Sequence, residues 1–198
     1  MLKKGLLIFS ILMTFFGPKG LTQEIILKSH QKIYNLGQEI KILEDSSAKL
    51  SIYDVVEEKW AQRFKKSTSK VPNFGFTEKA YWARFYLKEE SKLNKRWILS
   101  FNFYLQDEIS FFKKEKGLWK EIKTGDYFPF SQREIKSRPF AFNIEPNNEN
   151  PYFIRVKGNP SRIDLTLLES DTFFEKESEN NYIYGLFFGL VLAMIAYN

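Results

Sequence analysis

The sequence predicts an all-β fold, a two-sheet sandwich or jelly roll, with one short helix towards its N-terminal side and an apolar helix at its C-terminal end. Three observations carry that expectation. Seven or eight short segments alternate apolar and polar residues between regular turn signals. No run of strand–helix alternation occurs, which argues against a parallel α/β sheet. The 198 residues include 20 Phe, 10 Tyr and 4 Trp, a ring content that suits pleated, half-buried surfaces.

The elements follow in chain order. Met1 to Gln23 has the shape of a secretory signal: Lys3 and Lys4 precede the apolar run Gly5 to Phe16, and Gly17, Pro18 and Gly20 end it. Twelve residues cover only about 18 Å, too short to span a bilayer. Gln38 to Glu44 alternates, placing Ile40 and Ile42 on one face. Ser51 with Asp54 three residues on forms an S-x-x-D capping signal, so a helix is expected from Ile52 to about Phe64.

Strand signals dominate from there. Tyr81 to Leu87 divides into a Tyr81, Ala83, Phe85, Leu87 face and a Trp82, Arg84, Tyr86 face. In Arg96 to Phe103, Trp97, Leu99, Phe101 and Phe103 alternate against Ile98, Ser100 and Asn102. Glu108 to Lys113 and Leu118 to Lys123 flank Lys116-Gly117 as a hairpin. Phe140 to Ile144, Tyr152 to Val156 and Ile163 to Leu168 complete the set, and Phe101, Phe103, Phe140, Phe142, Leu165 and Leu167 are expected in the core. A polar segment, 170–181, links this domain (38–169) to the apolar run Tyr182 to Asn198, which holds no charged residue. That run covers roughly 25 Å as a helix and reads as the start of a membrane span cut short.

Composition narrows the function. The formal charge is +6 and falls to about +3 once residues 1–23 are removed. The remaining charges are interleaved, with no Arg/Lys stripe, which argues against nucleic acid as a partner. No cysteine is present, excluding disulfides, thiol catalysis and Cys-based metal sites. His30 is the single histidine and no phosphate-cradling glycine loop occurs, so no enzyme, cofactor or metal is expected. An exported carbohydrate-active enzyme would need two carboxylates facing each other across a cleft, a geometry that sequence hides.

Five residues stand out as candidate ligand contacts. Trp82 and Arg84 share a strand face with Tyr86, and Arg155 sits among the apolar residues of PYFIRV. Rings beside polar groups are what sugars stack on and bond to, but the same set also makes a stabilising Arg–aromatic cluster. Arg133 and Arg138 lie in TGDYFPFSQREIKSRPF. They could present forked donors to a carboxylate or phosphate, or pair with Asp126, Glu134 or Glu145.

The segments FGFTEKAYWARF (Phe74 to Phe85), FSQREIKSRPF (Phe130 to Phe140) and the terminal YG…FG…YN, with the order of elements between them, carry a family resemblance. From about Ile40 to Asn198 the chain resembles the second extracellular domain type of the 7TMR-DISM proteins, seven-transmembrane receptors with diverse intracellular signalling modules. The resemblance implies a jelly roll similar to carbohydrate-binding modules, facing the periplasm from the bacterial inner membrane, followed by membrane helices and a cytoplasmic output module. It supplies no catalytic or ligand-contact residues. The leading expectation is a ligand-sensing input domain for a small molecule such as a carbohydrate, touching lipid through 182–198, open to homodimerisation and lacking its output module. The alternative is a membrane-anchored carbohydrate-binding or adhesion module without signalling.

Overall fold

Residues 24–91, 94–146 and 149–198 are described by the structure, a computed structural model; the proposed signal segment lies outside them. The longest strand, β6 (Ala80–Glu89), is the axis of the larger sheet. Flanking it are β3 (Lys41–Asp45) and β11 (Tyr152–Lys157), both antiparallel, and β1 (Glu24–Leu27), parallel to its far half. Outward from these lie β4 (Lys65–Lys66), β8 (Glu108–Glu115) and β9 (Leu118–Thr124), giving the order β4-β3-β6-β11-β8-β9. The smaller sheet is antiparallel throughout, with β10 (Phe140–Ile144), β7 (Trp97–Phe101), β13 (Leu165–Glu169) and β2 (Ile33–Asn35) in that order. A two-strand ribbon joins β5 (Asn73–Gly75) to β12 (Ser161–Arg162).

The alternation read from the sequence is the alternation of the sandwich. Tyr81, Ala83, Phe85 and Leu87 point into the main core with Phe111 and Ile154, against Leu99, Phe101, Phe142 and Leu167 of the smaller sheet. Phe111 and Phe142 bridge the sheets with ring centroids 5.0 Å apart, in the range of favourable aromatic pairs. Phe103 is only partly buried, because β7 ends at Phe101. The β8–β9 hairpin turns through Lys116 (φ 50°) and Gly117 (φ 83°), the positive pair that a two-residue type I′ turn requires.

Both outer faces also carry apolar residues, and each is covered. On the larger sheet Leu43, Trp82, Phe112 and Phe153 form a second cluster under Ile52, Val55 and Phe64. The cover is two single turns, α1 (Ile52–Val55) and α2 (Glu58–Ala61), instead of the one helix expected over 52–64. Ser51 and Asp54 do form the capping box. The helix breaks where the β-branched pair Val55-Val56, a weak helix former, meets Glu57, whose extended ψ of 145° restarts the chain as the next cap.

On the smaller sheet Ile98, Ala141 and Leu168 are covered by Phe173, flanked by Ile33 and Ile135. Phe173 belongs to α3 (Ser170–Tyr197), which follows β13 without an intervening loop. The polar segment 170–181 is therefore helical and continuous with the apolar run. Twenty-eight residues make a rod of about 42 Å. Its base is tied down by Ser170 N donating to Arg96 O (2.8 Å) and by the partly buried ion pair of Lys95 with Glu169 (3.1 Å). Among the described residues α3 is the one helix long and apolar enough to cross a membrane.

Candidate functional site

The five residues singled out in the sequence separate into two places. Trp82, Arg84 and Arg155 lie on the outer face of the larger sheet, whereas Arg133 and Arg138 lie where the sandwich meets α3.

The first group is mostly absorbed by packing. Trp82 is 0% exposed and stacks on Phe112 at 5.3 Å, so it is floor and not platform. The reason is the cover of α1 and α2, which the strand pattern alone does not reveal. Arg84 lies 4.5 Å above the Phe64 ring, and its burial pushes the guanidinium below its ordinary pKa. Arg155 donates from Nη2 to Ala48 O at 2.8 Å and reaches over Trp82 at 5.9 Å. Trp82 and Arg155 meet in a recess of about 380 Å³ with Tyr53, Ser110, Glu108 and Phe128 on its walls.

The second group opens a larger space. A cavity of about 1000 Å³ is bounded by Tyr104 and Leu105, by the 126–138 segment, and by Phe174, Glu177, Ser178, Asn181 and Tyr182 of α3. Its loops are built to stay in place. Gln106 is fully buried, donates from Nε2 to Lys157 O (2.9 Å) and accepts from Arg162 N (3.2 Å) at Oε1. Asp126 N donates to Gln106 O (2.8 Å) and Tyr127 N to Asp107 O (3.2 Å), so the two loops are pinned together. Gly125, at φ 136°, makes that approach feasible, since a Cβ there would collide with the Asp107 carbonyl.

The arginines do not pair with Asp126, Glu134 or Glu145. Arg133 Nη1 donates to Ser137 O (2.7 Å) and Arg138 O (2.9 Å), and its guanidinium lies 4.3 Å from the Phe140 centroid. Burial lowers its pKa, with Asp126 opposing. Arg138 sits 5.1 Å from the Tyr104 ring and 4.4 Å from the Tyr184 ring of α3, while its backbone N donates to Glu177 Oε2 (3.2 Å). Lys136 donates to the Arg133 carbonyl at 2.9 Å and to Ser131 O. Among the described residues none of these three cations makes an ion pair.

The sequence model of the family 7TMR-DISM extracellular 2 matches residues 37–169. The chain belongs to this family. No curated protein matches the chain. With α3 following the matched region at once, this 7TMR-DISM extracellular 2 domain is a membrane-anchored extracellular domain. Sequence reasoning found Arg133 and Arg138 but missed their surroundings. Lys136, Tyr104 and Glu177 come from three separate elements, and only the helical state of 170–181 brings Glu177 beside Arg138. A further cleft of about 850 Å³, at the edge formed by α2, β4 and β5, brings together Arg63, Lys65, Thr68, Asn73 and Phe74 and carried no signal in the strand pattern. Among the described residues no three His, Asp or Glu gather as a metal site.

Proposed function

We propose that the chain is the periplasmic ligand-sensing input domain of a bacterial inner-membrane signalling receptor, and that its input site is the cavity between the sandwich and α3. One observation carries this reading: the cavity is walled on one side by the pinned loops and on the other by the helix that enters the membrane. A ligand moves an equilibrium only by binding two arrangements with different affinity. A molecule seated between loop and helix has that property by position, because tilting α3 opens or closes its site. A small anionic molecule, acidic carbohydrates included, meets Arg133, Lys136 and Arg138 there, none of which forms an ion pair among the described residues, across from Asp126 and Glu177.

The test uses the full chain in lipid nanodiscs. The chain has no cysteine of its own, so labels at Ser131→Cys and Glu179→Cys report the loop-to-helix distance cleanly. In a screen of soluble sugars, carboxylates and cell-wall fragments, a ligand that binds should shift this distance, and Arg133→Gln with Arg138→Gln should abolish the shift. Binding that leaves the distance unchanged would favour the plain anchored binding or adhesion module.

A further inference from the structure

The depth of the cavity along α3 says what meets it first. Arg138 lies 4.4 Å from the ring of Tyr184, the third residue of the apolar run that begins at Tyr182. When that run is in hydrocarbon, its first turn lies at the boundary, where Tyr residues concentrate and where phosphates sit. The Arg138 guanidinium is then at headgroup depth. Among the described residues its side chain has no hydrogen-bond acceptor, only the two tyrosine rings.

The lining has a double character that a free anion does not need. Beside Arg133, Lys136 and Arg138 it carries Leu105 (64% exposed), Phe130 (54%) and Phe174 (53%). Apolar side chains left in water beside cations fit a molecule with a charged head and an apolar body. Arg133 spends Nη1 on two carbonyls, and its Nε is buried without a partner among the described residues, while Lys136 spends its three donors on the carbonyls of Phe130, Ser131 and Arg133.

We infer that this cavity is a headgroup site for an anionic glycerophospholipid of the surrounding membrane, with the phosphodiester bonded by the free donors of Arg138, with Lys136 and Arg133, whose N–H groups are largely spent on backbone carbonyls, adding positive charge, and with the acyl chains running down past Tyr184. This rests on the reading of the cavity as the input site and names its occupant: the lipid would set the resting position of α3, and another ligand would act by displacing it. The lining sets three cations against the two carboxylates of Asp126 and Glu177, which leaves it net positive, and juxtamembrane Lys and Arg side chains are drawn to anionic leaflets.

The full chain is reconstituted in mixed phosphatidylcholine and phosphatidylglycerol vesicles, extracted in mild detergent, and the co-purifying lipids are quantified by mass spectrometry. Phosphatidylglycerol should be enriched over the bulk mixture. Arg138→Gln should lower that enrichment roughly fivefold, the effect expected of one cation near an anionic surface. It is the safest variant, because its side chain holds no backbone group. Lys65→Gln with Lys66→Gln, at the edge cleft, should leave the enrichment intact. A bulk-like lipid ratio, or equal losses in both variants, would overturn the inference. Glycerol phosphate is added as a competitor, and displacement of the lipid by it at equal concentration would also overturn the inference, by showing a plain phosphate site. The Ser131–Glu179 distance separates the two readings. If a soluble ligand shifts it while phosphatidylglycerol neither binds nor shifts it, the lipid inference fails and the sensor stands. Retained lipid with a distance fixed under every ligand means the reverse.

Discussion

The two arginine-bearing regions use the same chemistry to different ends. Around Trp82 the rings and guanidinium groups face one another under a helical cover, and their contacts end inside the molecule. Around Arg138 the same residue types face outward, between loops and a helix that continues beyond the sandwich. An Arg–aromatic pattern therefore reports packing or recognition according to what covers it. On the larger sheet the cover is α1 and α2; at the junction α3 forms one wall and leaves the cavity open.

The sharpest way to break this contrast is Trp82→Ala. Removing a fully buried indole costs about 3–5 kcal/mol in denaturant unfolding, through lost transfer energy and the cavity left behind. Ligand or lipid retention at the junction should persist in the folded fraction; its loss would mean that the two regions are one site. Phe173→Ala comes next. It should remove about 3 kcal/mol of the hold of the smaller sheet on α3, read as lost hydrogen-exchange protection at Ser170 to Phe173, with the main core still protected.

Tyr152→Phe probes the sandwich apart from both regions. It should cost about 1 kcal/mol, through loss of the hydrogen bond from its hydroxyl to the Glu145 carbonyl. Burial, aided by the Glu145 carboxylate, raises the Tyr152 pKa well above its ordinary 10.0. A raised acid pKa means that the neutral form stabilises the fold fully below pH 10 and that this contribution is lost as pH rises past it. The wild-type chain should thus lose stability in alkali more steeply than Tyr152→Phe. The smallest effect is expected at Arg84→Met. The guanidinium lies half-buried over Phe64, with Nε buried and without a hydrogen-bond partner among the described residues, so an apolar replacement should be neutral or stabilising by up to about 1 kcal/mol. A loss of more than about 1 kcal/mol in thermal unfolding would mean that the stacking of Arg84 on Phe64 outweighs its desolvation.

Much of the sandwich was legible because its strands keep a strict period of two. Phe140 to Ile144 matches β10 residue for residue, and the Lys116-Gly117 turn carries both positive φ values. The short edge strands β2, β4 and β12 were not legible, since two or three residues show no period. The single helix over 52–64 failed at Glu57, where burial of Val55 on the sheet outweighs continuation of the helix. The outward face of Trp82 was read correctly as a face, but not as covered ground, since strand alternation says which side a residue takes and not what lies above it. At the junction, Arg133 and Arg138 were visible as residues. Their cavity was not, because its far wall is 170–181, polar in sequence and helical in fact.

The sandwich and α3 should move as one body, because β13 runs into the helix without a loop. This is tested most directly by the distance distribution between labels at Ser131 and Glu179 in nanodiscs, with and without Phe173→Ala. One narrow distribution is expected in the wild-type chain, broadening when Phe173 is lost. A distribution already broad in the wild type, and unchanged by Phe173→Ala, would contradict it.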